Sequence, residues 1–243
     1  MAKPYLSIII PAHNEEARLP STLDQVAAFL TAQTYQVEVL VVENGSQDRT
    51  LEIAQSYAAR LPNLCVLRLD ERGKGRAVRH GMLQASGEYL FMCDADLSMP
   101  IEQVNQFIPP SLNDFDIAIA SREAPGAVRY DEPAYRHIVG RIFNTMIRLV
   151  ALPGLNDTQC GFKCFRAPVA RELFALQQLP GWSFDVEVLF IARQRGYRII
   201  ELPVPWYFNA ETKVRVVQDS TRMALDLLTI RLNARRGVYG HSG

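Results

Sequence analysis

Tyr89-Leu90-Phe91-Met92-Cys93 is an unbroken apolar run that ends on two carboxylates, Asp94 and Asp96. A run of this kind suits a strand buried on both faces, the condition of a parallel sheet covered by helices on each side. Similar short runs recur at Tyr5 to Ile10, Val37 to Val42, Cys65 to Leu69 and Asp116 to Ala120. Stretches with helical spacing lie between them, such as the one carrying Leu23, Val26, Ala27 and Leu30. This alternation predicts an α/β fold: a mostly parallel, Rossmann-like sheet with helices on both faces. The first four strands each end in a polar loop, at His13-Asn14-Glu15, Glu43-Asn44, Gly73-Lys74 and Asp94-Ala95-Asp96. In an open α/β sheet, ligands bind beyond the carboxyl ends of the strands, so these loops are expected to converge on a site.

Two ionised acids one residue apart repel each other unless a cation lies between them. Hard oxygen ligands suit Mg²⁺ or Mn²⁺, which in turn hold phosphate oxygens. The competing reading of Asp94-x-Asp96 is a solvated acidic turn. Gly73-Lys74-Gly75 fits neither the P-loop nor the dinucleotide fingerprint. Backbone donors and Lys74 at a helix start could still hold a phosphate or a base.

Lys plus Arg and Asp plus Glu number 26 each among 243 residues, so no general basic field points to nucleic acid. The four cysteines make neither a disulfide framework nor a zinc spacing. They read as reduced cytoplasmic thiols, with Cys65 and Cys93 buried in strands. No stretch approaches the ~18 apolar residues of a spanning helix, and Met1-Ala2-Lys3-Pro4 is expected to lead straight into a strand, with no signal peptide expected. The expectation is one domain over residues 1–243, with a nucleotide-binding part over about 1–120 and an acceptor side over about 121–243.

In the second half, a helix is expected from Ile101 to Ser111 and a loop over residues 123–134. Tyr135 to Ala151 carries Ile138, Val139, Ile142, Phe143, Met146, Ile147 and Val150 as one apolar stripe, facing either the core or a membrane. Asn156 to Phe165 reads as a turn into a strand, and Gly181 to Glu187 leads a helix through Arg195. Tyr197 to Val204, closed by Pro203 and Pro205, reads as an edge strand, and Asp219 to Arg236 as a last helix.

In this order the pieces resemble a family-2 inverting glycosyltransferase with the GT-A fold. The N-terminal motifs are Pro11-x-x-Asn14-Glu15, Glu43-Asn44-Gly45-Ser46-x-Asp48, Gly73-Lys74-Gly75 with Arg79, and Asp94-x-Asp96. In the second half, Asp157 to Lys163, Trp182-x-Phe184-Asp185-Val186-Glu187 and Asp226 to Leu232 are similar to the dolichyl-phosphate β-glucosyltransferase branch. GDP-mannose-dependent dolichyl-phosphate mannosyltransferases, or a family-2 transferase with another acceptor, are the alternatives. The resemblance implies that Pro11, Glu15, Glu43 and Lys74 surround the nucleoside, and that Asp94 and Asp96 approach the ribose, the diphosphate and a divalent metal. It implies that Arg122, Arg136 and Lys213 hold the acceptor phosphate and that Asp157 and Asp96 serve catalysis. The chain departs from the family at His13, where a Tyr or Phe is usual, at Glu43-Asn44, where Asp-Asp is commoner, and at Ser98, where some mannosyltransferases carry a metal-binding Gln.

The expected reaction moves a hexose, glucose first, from a UDP-sugar to a polyprenyl or dolichyl phosphate. That acceptor is largely ionised at neutral pH, with a second pKa near ~6, so little base catalysis is needed. Asp157 is then a base, an orienting group or only a turn-forming residue. A sugar nucleotidyltransferase would need a Gly-rich first loop where this chain has Pro11, and a silent nucleotide-sugar binder would not need Asp94, Asp96 and Asp157 together. The expected location is the inner face of a membrane, reached peripherally. The last stretch, from Ser220, sets four arginines against Asp226 as its one acid, a weak polybasic attachment.

Overall fold

The computed structural model describes residues 3–209 and 216–240, with backbone alone at 136, 138, 139, 142, 143 and 216–221. Seven strands form one sheet: β1 (Leu6–Ala12), β2 (Val37–Asn44), β3 (Leu64–Leu69), β4 (Tyr89–Cys93), β5 (Ile117–Ser121), β7 (Phe162–Arg166) and β8 (Ile199–Pro203). Their order is β3-β2-β1-β4-β7-β5-β8. All pairings are parallel except those of β7, which runs antiparallel between β4 and β5. This is the mostly parallel, Rossmann-like sheet that the alternation of strands and helices predicts.

Successive side chains of a strand point to opposite faces, so a strand buried on both sides feeds two cores. Ile9, Leu40, Val42, Leu90 and Met92 enter one core, with Ile8, Ile10, Val39, Val41 and Phe91 in the other. The first core is closed by α3 (Lys74–Gln84), α5 (Ala167–Leu176) and α6 (Phe184–Gln194), with Ile147 of α4 (Ala134–Val150) and Leu227 and Ile230 of α7 (Val216–Arg235). The second is closed by α1 (Leu19–Ala32), α2 (Thr50–Ala58) and a 3-10 helix at Ile101–Gln106.

Several expectations are corrected. Cys65 is exposed: it lies on the edge strand β3 and belongs to neither core. The helix expected from Ile101 to Ser111 is a single 3-10 segment ending at Gln106. Residues 123–134 are not simply a loop: they hold β6 (Val128–Tyr130), paired in parallel with β9 (Pro205–Tyr207). In that ribbon Arg129 pairs with Trp206, and its flanking positions set Tyr130 against Tyr207 in a stack with ring centroids 4.6 Å apart.

Candidate active site

The antiparallel β7 shapes the site. Its register sets Phe162 opposite Cys93, so the next residue pair brings Gly161 beside Asp94. The Asp94 amide donates to the Gly161 carbonyl at 3.1 Å. A Cβ on residue 161 would lie 1.8 Å from Asp94 Oδ2, so only glycine leaves room for that carboxylate. From the other side, Lys74 at the start of α3 reaches Asp94 Oδ1 with its Nζ at 2.7 Å. The Lys74 ammonium also lies 5.1 Å from the centre of the Trp182 ring.

Asp96 is turned into the loop after β4, where its Oδ1 accepts the Ser98 amide at 3.0 Å. Burial first, and then the neighbouring Asp94 charge, push its carboxyl above the ordinary range. A like-charge pair in this state fits a divalent cation. Among the described residues no group of three or more His, Cys, Asp and Glu side chains converges as a complete metal cage. Two carboxylates at a strand end are what a Mg²⁺-type site contributes when phosphates and water complete the shell.

The loops after β1 and β2 are tied together. Asn44 Nδ2 donates to the Ala12 carbonyl at 2.9 Å, and its Oδ1 accepts the Gly73 amide at 3.0 Å. One side chain thus joins three strand-end loops, a role that its place beside Glu43 does not disclose in the sequence. Glu43 is buried and accepts the Ser46 amide at 2.5 Å. Glu15 pairs with Arg18 at 2.7 Å, and its amide donates to Thr50 Oγ1. Pro11 is buried within β1, in register with Val42. His13 Nδ1 lies 2.8 Å from the Asn44 carbonyl. Pro11, Glu15, Glu43 and Lys74 therefore stand on neighbouring strand ends.

Before β7, Asp157 is fully buried and gripped by Arg122. Arg122 Nε donates to Oδ2 at 2.6 Å, a terminal nitrogen donates to Oδ1 at 2.9 Å, and the Arg122 amide adds a bond of 3.0 Å. Burial alone would raise this carboxyl, but the Arg122 charge and its hydrogen bonds bring it down to about 2. Glu201 of β8 fixes the turn by accepting the Asn156 and Asp157 amides. The Arg122 guanidinium also lies 5.4 Å from the centre of the Trp206 ring. Arg136 belongs to α4 by its backbone, and Lys213 lies outside the described residues.

A further ion pair went unread in the sequence. Lys163 of β7 and Asp185 of α6, both buried, meet at 2.7 Å, and Lys163 Nζ also donates to the Cys160 carbonyl at 2.5 Å. A lysine inside an otherwise apolar Phe-Lys-Cys-Phe strand was the available signal, since a buried cation calls for a buried anion.

The matches to known proteins follow this geometry. The family model for glycosyl transferase family 2 matches residues 7–174, and the chain belongs to that family. It is a glycosyltransferase. Among curated proteins, the dolichyl-phosphate beta-glucosyltransferase of Dictyostelium discoideum is 33% identical over 97% of this chain and 76% of its own length. The enzyme of that name from Drosophila melanogaster is 36% identical over 96% and 76%, and that of Homo sapiens 30% over 96% and 77%. Among solved structures, glucosyl-3-phosphoglycerate synthase from Mycobacterium tuberculosis in complex with uridine diphosphate and Mg²⁺ superposes with a TM-score of 0.66. That pair is 19% identical, covering 93% of this chain and 79% of the other, a likeness of fold.

Proposed function

We propose that this glycosyltransferase moves glucose from UDP-glucose to a polyprenyl phosphate such as dolichyl phosphate, with inversion at the anomeric carbon. The observation that carries this reading is an acidic strand end, Asp94 and Asp96 with Lys74, in the same sheet as an arginine, Arg122, held in place by the buried Asp157. The relatives named as dolichyl-phosphate beta-glucosyltransferases, alike over nearly the whole chain, support glucose and the lipid phosphate. The UDP complexes of the structural neighbours support the nucleotide.

In this reading Pro11, Glu15 and Glu43 bound the nucleoside, and Lys74 turns from Asp94 toward the diphosphate. Asp94 and Asp96 would hold Mg²⁺ or Mn²⁺, whose positive charge would stabilise the leaving diphosphate. A phosphate oxygen of the acceptor forms the new bond to the sugar C1 while the bond from C1 to the UDP oxygen breaks, and UDP departs with the electron pair. Arg122, with Arg136 and Lys213, offsets the repulsion between the two phosphates. Asp157 is a positioning residue. With both oxygens engaged and its carboxyl held at about 2, it is a poor proton acceptor, and the ionised acceptor needs none.

The lipid tail of such an acceptor stays in its bilayer, so the protein must reach the headgroups. Among the described residues no helix is long and apolar enough to cross a membrane. Helix α7 instead leaves Leu225, Leu228 and Leu232 exposed at spacings of three and four, opposite the buried Leu227 and Ile230. The exposed Arg222, Arg235 and Arg236 flank that face. We assign this leucine and arginine face to reversible attachment at an anionic membrane surface.

The test is a matrix of initial rates with UDP-glucose or GDP-mannose as donor, and dolichyl phosphate or 3-phosphoglycerate as acceptor. Turnover is expected for UDP-glucose with dolichyl phosphate. Preference for GDP-mannose or for 3-phosphoglycerate would overturn the assignment.

A further inference from the structure

The start of α3 is held from outside the nucleotide loops, by residues 177–180 between α5 and α6. A Cβ on residue 75 would lie 2.7 Å from the Leu179 carbonyl oxygen, and one on residue 73 would lie 2.6 Å from that of Pro180. The Arg76 amide donates to the Pro180 carbonyl at 3.2 Å. Gln177, itself buried, bridges the two segments: its Nε2 donates to the Gly75 carbonyl at 3.0 Å and to the Leu179 carbonyl at 2.8 Å. Lys74 thus starts from a backbone clamped on both sides against 177–180.

That loop is fixed in turn by one carboxylate. Glu187 of α6 is fully buried, and its Oε2 accepts the Gln178 amide at 3.0 Å and the Leu179 amide at 2.7 Å. Its Oε1 accepts the hydroxyl of Tyr239 at 2.7 Å. Tyr239 follows α7 and is itself buried, with its carbonyl accepting from Arg195 at 2.7 Å. All three donors to Glu187 are neutral; burial pushes its carboxyl up, and the bonds from Leu179, Tyr239 and Gln178 act against that rise. A plain core position would be served by an apolar side chain; a buried carboxyl group persists where its hydrogen bonds tie segments together.

We propose that Glu187, braced by Tyr239, is a positioning residue for the donor end of the site, setting Lys74 through the 177–180 loop. The inference rests on the donor-binding reading above and names a control on it. The segment after α7, the helix assigned to the membrane surface, is thereby joined to the lysine that meets the diphosphate. The link is a chain of direct contacts: Tyr239, Glu187, Leu179, Gly75 and Lys74.

The experiment compares Glu187→Ala, Glu187→Gln and Tyr239→Phe with the wild type in three measurements: UDP binding with Mn²⁺, KM for donor and acceptor, and amide hydrogen exchange over residues 73–77. Tyr239→Phe should weaken UDP binding and raise the donor KM severalfold, with the acceptor KM unchanged within twofold. Exchange at 73–77 should quicken in the free protein. Glu187→Ala should do the same by about tenfold or more, and Glu187→Gln, which keeps one oxygen for the two amides, should recover most of the loss. Should Glu187→Ala fail to fold, Tyr239→Phe and Glu187→Gln carry the test. Unchanged exchange at 73–77, or a loss of melting temperature with unaltered UDP affinity, would overturn the inference. Failure of the wild type to bind UDP would instead defeat the donor reading, while the exchange measurement still reports the coupling.

Discussion

The Arg122 guanidinium meets the Asp157 carboxylate edge to edge, with two side-chain hydrogen bonds of 2.6 and 2.9 Å and a third from its own amide. The bidentate fork fixes the plane of the guanidinium as well as its place. Asp157→Ala should therefore leave a largely buried arginine without its partner, at a cost of about 3–5 kcal/mol in unfolding free energy. Asp157→Asn keeps one carbonyl oxygen for Arg122 and should lose less. Urea unfolding of the two variants measures this; an Asp157→Ala protein as stable as the wild type would contradict it.

The same pair sets a pH dependence. The Asp157 carboxyl is lowered from 3.8 to about 2, chiefly by Arg122 acting against its burial. A carboxyl depressed on folding adds stability above its unfolded value, and that contribution is lost as pH falls from 3.8 through 2. Stability followed from pH 5 downward should show this loss in the wild type and not in Asp157→Asn. Around neutrality Asp157 does not change charge, so the pH–rate profile of Asp157→Asn should keep the wild-type shape. A lost limb near neutral pH would restore Asp157 as a base.

Gly161 and Asp94 share a space that admits no further atom. Gly161→Ala should push the Asp94 carboxylate from its place, since the new Cβ would stand 1.8 Å from Oδ2. The expected result is a folded protein with at least tenfold weaker Mn²⁺-dependent UDP binding, read by calorimetry. Asp96→Ala should behave alike. Wild-type affinity in Gly161→Ala would show that Asp94 is free to work elsewhere.

Much of this was legible in the sequence, and the reasons are local. The apolar runs of β1, β2 and β4 declare doubly buried strands without any knowledge of their neighbours. Asp94 and Asp96 are found because they close such a run. What stayed hidden depends on pairing across long separations. Nothing near Gly161 says that β7 inserts antiparallel beside β4, yet that register alone sets Gly161 against Asp94. β6 and β9 have three residues each, too short for a period to be read. Cys65 looked buried because an edge strand has the composition of a central one. Asp185 and Glu187 fall on different sides of a helix, and only the tertiary fold tells that one meets Lys163 and the other the 177–180 loop.

The exposed leucines of α7 make a prediction about attachment. Burying a leucine side chain contributes about 1.5–3 kcal/mol, so Leu225→Ser with Leu228→Ser should sharply reduce sedimentation with anionic liposomes. Arg235→Ala with Arg236→Ala should weaken it and reduce its salt sensitivity. Sedimentation unchanged in both double variants would remove α7 from the membrane contact.

The most direct test is the release of UDP from UDP-glucose by the purified protein, followed with and without polyprenyl phosphate. Release is expected to require both the lipid phosphate and a divalent cation, with one β-linked glucosyl lipid formed for each UDP. Release that proceeds equally without the acceptor, persists in excess chelator, or never occurs would contradict it.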